Sequence, residues 1–191
     1  PYIAPKKYWD LYDPSEIEIA GQTDFLAGVP KIALHGSGEL RRYTDQIKTG
    51  PIPDVAQRRV THAYYACISY IDAQVGRVLA ELDAQGLSDN TIVVLWGDHG
   101  YHLGEKENWE KFALWEDTTH VPLIIVDPRR TQPGTRCESP VSLLDLYPTL
   151  VELCGLGLPP QPLEGRSLAN RLTKPGAKSR RVAVTTQGRG N

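Results

Sequence analysis

Apolar residues recur at three- and four-residue steps from Val60 through Tyr64, Cys67 or Ile68, Ile71, Val75 and Val78 to Leu82. That period describes one face of a long helix. The spacing predicts the helix over residues 54–85, with Asp54 as N-cap after Pro53 and Gly86 just past the end. Two short apolar runs follow, TIVVLW at 91–96 and VPLIIV at 121–126, and each predicts a strand buried on both faces. SLLDLYPTLVELCG returns to helical spacing; Ser142 and Asp145 are set as a capping box, and Gly155 ends the element. RVAVTT at 181–186 predicts a third strand, whereas residues 1–53, rich in Pro, Gly and Asp, predict a surface excursion with one short helix. Helices alternating with apolar strands indicate an α/β fold, a largely parallel sheet flanked by helices.

The 191 residues amount to one domain or a piece of a larger one. A net charge of −2 with mixed signs argues against nucleic acid or an anionic membrane surface as partner. No apolar run approaches the roughly 18 residues of a membrane span. Cys67, Cys137 and Cys154 form neither a zinc pattern nor a disulfide framework. Cys67 and Cys154 fall in apolar helical patterns and are expected to fill the core. The opening PYIAPKKYW has neither a methionine nor a signal peptide, which predicts a piece of a longer protein and leaves the compartment open.

The chemistry gathers after the first strand, in TIVVLWGDHGYHLGEKENWEKF. Three of the five histidines and three of the four tryptophans lie within residues 96–120. In open α/β sheets, ligands collect at the carboxyl ends of strands, where Asp98 and His99 fall between Gly97 and Gly100. Aspartate offers a hard oxygen ligand to Ca²⁺ or Mg²⁺; histidine suits Zn²⁺ better. The plain alternative is a turn with a solvated aspartate and a core histidine. His102, Glu105, Lys106, Glu107, Glu110 and Lys111 likewise fit a solvated, salt-bridged face. Trp96, Trp109, Phe112 and Trp115 interleave with them, however, and such aromatics wall clefts or fill cores. A lysine beside a bound metal is also a natural clamp for an anionic group, so metal-assisted hydrolysis of an anionic ester is compatible with the pattern.

GDHGYHLGEKENWEK, followed by ALWEDTTHVPLII and SLLDLYPTLVEL, resembles the type I sulfatases of the alkaline phosphatase superfamily. GPIPDVAQRRVTHAYYACISYIDAQVGRVLAEL is similar to the iduronate-2-sulfatase branch in particular, and the resemblance extends over most of the chain. It implies a sulfatase-like α/β domain, of which residues 1–191 would be the central-to-late part, without the nucleophile-bearing N-terminal part or the C-terminal subdomain. It implies that Asp98 gives a carboxylate to a divalent cation, Ca²⁺ rather than Mg²⁺, and that His99 occupies the next ligand position. Lys111 falls where the family contacts the sulfate ester, and His102 is a candidate substrate contact.

The same resemblance implies a formylglycine nucleophile made from a C-x-P-x-R type motif. RCESP at 136–140 does not match that motif, so the nucleophile is expected upstream and the chain alone is expected to be inactive. The implied substrate is a sulfated saccharide, in particular a 2-sulfated uronic acid of a glycosaminoglycan-like polymer. The implied compartment is periplasmic, extracellular or lysosomal. Two other readings keep the fold: a phosphate or phosphonate ester hydrolase, and a non-catalytic sulfatase-like binding protein.

Overall fold

The computed structural model describes residues 2–21, 28–34, 36–177 and 181–188. Two compact units divide the chain. One holds the residues up to Ala84 together with His99–His120; the other holds Gln85–Asp98 and Val121–Gly188.

The first unit contains α1 (Lys6–Trp9), α2 (Gly38–Arg42), the long α3 (Asp54–Ala84) and the one-turn α4 (Glu116–Thr119). The long helix begins where the spacing predicts, but Asp54 is not its cap. The Pro53 carbonyl accepts from the N–H groups of Ala56 and Gln57 at 2.8 and 3.0 Å, so Pro53 is the capping residue. Asp54 lies in the first turn, where its charge complements the helix dipole. Gly86 takes φ +67° just past the end, a conformation that glycine adopts without the steric cost of a side chain.

Only the N-terminal half of α3 is buried, at Val60, Thr61, His62 and Ala66. Ile68, Ile71 and Val78 on the predicted face are more than half exposed in this unit. The buried end meets α1 through His62, whose ring lies 3.9 Å from that of Trp9 and whose Nε2 bonds the Trp9 carbonyl at 2.8 Å. Residues 1–53 are more than a surface excursion. Ile17 is buried, and Leu40 and Ile52 join Val60 and Trp109 in the core cluster, so this segment supplies half of the unit's centre.

The second unit holds β1 (Val93–Trp96) and β2 (Leu123–Val126), paired antiparallel with Val93 opposite Val126 and Trp96 opposite Leu123. The largely parallel arrangement is therefore not carried by these strands. The chain leaves at Gly97 and returns at Pro122, and the Gly97 N–H donates to the Pro122 carbonyl at 3.0 Å. Leaving and returning at one end forces opposite strand directions. Neither strand is fully buried: Trp96, Ile124 and Val126 are 51%, 55% and 43% exposed.

The capping box forms as predicted. Ser142 caps a short 3₁₀ turn that runs into α5 (Leu146–Leu153), and Gly155 follows at φ +64°. Asp145 is fully buried and does more than cap. It accepts from the backbone N–H groups of Ser142 at 3.0 Å and Arg166 at 2.8 Å, and from the Arg181 guanidinium at 2.7 Å. RVAVTT is not a strand; it runs irregularly with Val182 and Val184 exposed, and Arg181 anchors it to Asp145. The unit closes with α6 (Ala169–Thr173). Cys67 is half-buried, but Cys154 is exposed and fills no core. No helix among the described residues is long and apolar enough to cross a membrane.

Candidate active site

The polar segment of the first unit is a closed loop whose shape is dictated by its backbone. The His102 N–H donates to the Glu110 carbonyl at 3.2 Å, the Gly104 N–H to Asn108 at 3.0 Å, and the Gly100 N–H to Thr118 at 2.9 Å. A β-carbon at Gly100 would lie 2.9 Å from the Asp117 carbonyl carbon and overlap its oxygen, so only glycine lets the two chains meet. Lys106 and Glu107 adopt left-handed conformations, φ 58° and 56°. Such positions cost on the order of 1–3 kcal/mol each and persist only where the surroundings fix them. Here the Ser37 hydroxyl donates to the Glu107 carbonyl at 3.1 Å. The Tyr101 hydroxyl donates to the carbonyl of the buried Trp109 at 3.0 Å.

This segment is not a solvated charged face. His102, Asn108, Trp109 and Glu110 are all buried. The His102 ring faces two carboxylates without hydrogen-bonding either, with Nδ1 3.7 Å from Asp117 Oδ2 and 3.8 Å from Glu105 Oε2. Burial pushes its pKa below the usual histidine value, against the pull of those two charges, and keeps the imidazole neutral. Lys106 Nζ donates to Asp117 Oδ2 at 2.6 Å and lies 5.2 Å from the centre of the Trp115 ring. Burial opposes ionisation of Asp117, but the Lys106 ammonium outweighs it and holds the carboxyl below its ordinary range. Trp115 is fixed in turn through Nε1, which donates to the Ala33 carbonyl at 2.9 Å.

The four candidates fall as follows. Lys111 leaves the loop immediately after Glu110, partly exposed, with Nζ 3.5 Å from Glu39 Oε1 and 5.5 Å from the Phe112 ring centre. His102 shares the loop but is wholly enclosed. His99 is exposed, and its Nδ1 lies 2.9 Å from the Gly100 carbonyl oxygen. A carbonyl only accepts, so Nδ1 is the donor in this contact. Asp98 is exposed and ends the first stretch of the second unit, one peptide bond from His99.

No three His, Cys, Asp or Glu side chains among the described residues form a metal-binding group. Calcium takes 6–8 oxygen ligands. Asp98 and His99 alone fall far short of that number. Glu39 escaped the sequence reading because no local pattern connects it to the loop: 71 residues separate it from Glu110.

Comparison with known families identifies the family of the chain. The sulfatase family model matches residues 13–156, most of the chain. The chain belongs to the sulfatase family. It is 35% identical to a sulfatase of Formosa agariphila over all of its own length and 37% of that protein. It is 33% identical to human iduronate 2-sulfatase over 84% of this chain and 35% of that enzyme. Among solved structures, a phosphonate monoester hydrolase from Silicibacter pomeroyi superposes with a TM-score of 0.77 at 29% identity, covering 95% of this chain and 36% of the other. The sulfatase chain thus has the expected α/β fold class and spans little more than a third of the length of these proteins.

Proposed function

We propose that the complete protein hydrolyses sulfate esters of a saccharide, with a 2-sulfated uronic acid as the substrate class. The observation that carries the reading is Lys111, presented partly exposed at the end of a braced loop in a chain of the sulfatase family. The similarity to iduronate 2-sulfatase supports the uronic acid. In this reading the chain is the central-to-late part of the catalytic domain, in keeping with the share of its relatives that it spans.

Lys111 binds the sulfate oxygens and opposes the negative charge that builds on them as the ester bond breaks. Asp98 and His99 contribute to the shell of a divalent cation, Ca²⁺ in preference to Mg²⁺, which when bound withdraws charge from the same sulfate. His99 does so through Nε2, since Nδ1 is turned to Gly100. His102, neutral and enclosed, supports the loop that carries Lys111. The formylglycine nucleophile belongs to a part of the polypeptide outside these residues, because no cysteine here stands in a C-x-P-x-R motif.

A second reading, hydrolysis of a phosphonate monoester, is favoured by the superposition on the Silicibacter enzyme. Steady-state kinetics of the complete protein separate the two. We expect kcat/KM to be highest for a disaccharide with a 2-sulfated uronic acid, lower for an aryl sulfate and lowest for a phenylphosphonate monoester. Preference for the phosphonate would establish the second reading. Preference for a saccharide sulfated elsewhere would overturn the uronic acid.

A further inference from the structure

Lys111 does not stand alone on its loop. Its ammonium lies 3.5 Å from Glu39 Oε1, with the two side chains 32% and 19% exposed. The backbone N–H of Glu39 donates in the opposite sense to Glu110 Oε2 at 3.1 Å. Two consecutive residues of the loop therefore grip one residue of α2, Glu110 by its backbone and Lys111 by its carboxylate. The Glu110 carboxylate is buried, so it fixes where α2 sits against the loop, and α2 fixes where the Glu39 carboxylate points. Burial first, then the neighbouring Glu39, push the Tyr43 hydroxyl above its usual range.

From this arrangement we infer that Glu39 is a positioning residue for Lys111, an assignment that rests on the sulfate-binding role proposed above. A lysine ammonium sits on four flexible methylenes and carries three N–H donors. Holding the ammonium in an ion pair with Glu39 leaves its donors for ester oxygens and removes much of the rotamer freedom the side chain would otherwise lose at the moment of reaction. The cost is that a carboxylate near the anion weakens ground-state binding. Glu39 should therefore raise kcat while doing nothing to lower KM, the opposite of a residue that merely attracts substrate.

The test is a double-mutant cycle in the complete protein, read with an aryl sulfate so that sugar contacts do not enter. Glu39→Ala should lower kcat about tenfold, a fraction of the 10²–10³ expected for losing the ammonium itself, with KM unchanged or reduced. Glu39→Gln, isosteric and still able to accept one hydrogen bond, should recover part of the loss. In a Lys111→Ala background, Glu39→Ala should have no further effect on kcat, because there is no ammonium left to hold. An equal loss in both backgrounds would show a structural role and overturn the inference, as would a wild-type kcat in Glu39→Ala. A wild-type kcat in Lys111→Ala would instead remove the role assigned to the lysine, and the inference with it. Melting temperatures of all four proteins show whether a kcat change is a folding loss.

Discussion

Gly100 and Asp117 meet backbone to backbone, so closely that any side chain at position 100 would enter the Asp117 carbonyl. The adjacent Gly100–Thr118 hydrogen bond of 2.9 Å ties the start of the polar loop to α4. Overpacking typically costs about 1–3 kcal/mol and occasionally more, and backbone has no rotamer to yield. Gly100→Ala should lower the urea midpoint accordingly and lower activity of the complete protein with it. Retention of the wild-type midpoint would mean that the contact opens at little cost.

Asp98 should control metal content. Asparagine keeps the shape of the side chain and one oxygen but removes the charge that a hard cation seeks. We expect Asp98→Asn in the complete protein to lower both bound divalent metal, measured by elemental analysis, and turnover. Unchanged metal content in an inactive variant would move Asp98 from the cation to the substrate.

Lys111 and His102 should separate by what their loss disturbs. Lys111→Ala should reduce kcat by about 10²–10³ on aryl sulfates and sulfated saccharides alike, because the charge it opposes is common to both. His102 is enclosed and acts through Glu105, Asp117 and the loop they share. His102→Ala should therefore lower the melting temperature and reduce kcat/KM for both substrates alike, and a loss confined to the saccharide would make it a substrate contact after all.

Asp145 gives the second unit an acid-labile joint. Burial alone would raise its pKa, but the Arg181 guanidinium and the N–H groups of Arg166 and Ser142 together hold it below 3.8. A depressed carboxylate contributes stability that is present above its unfolded pKa and is lost as pH falls through the lower folded value. The melting temperature should therefore hold near neutrality and fall below about pH 4. Asp145→Asn should cost about 2–3 kcal/mol at pH 7, in line with hydrogen bonds to charged groups, and should flatten that acid limb. An acid limb identical in the variant would assign it to other carboxylates, of which Asp127, bound by Arg129 at 2.9 Å, is the first to test.

What the sequence revealed was what short-range patterns encode. The span of α3, the capping box of Ser142 and Asp145, and the glycine stops at 86 and 155 each depend on residues within a turn or two of one another. The misreadings share the opposite origin. RVAVTT has strand composition, yet its partner is the Asp145 carboxylate reached through Arg181, not a neighbouring strand. The charges around Lys106 look solvated in one dimension, but Asp117, Ser37 and Glu39 come from elsewhere in the chain to enclose or pair with them. Leu40 and Ile52 belong to a stretch without periodicity, and only packing against Val60 and Trp109 marks them as core. At the site, the residue types around Asp98 and His99 were legible, whereas what holds Lys111 was not.

The bond between Gly97 and Pro122 pins together the two ends of everything between β1 and β2. Residues 98–121 are, in effect, a cassette clipped into a hairpin. Because its ends are tied by backbone alone, the strand register of Val93–Trp96 on Leu123–Val126 makes no demand on what the cassette contains. The ladder therefore constrains only where this stretch starts and ends, whereas its interior is held by the packing of Trp109 with Leu40, Ile52 and Val60.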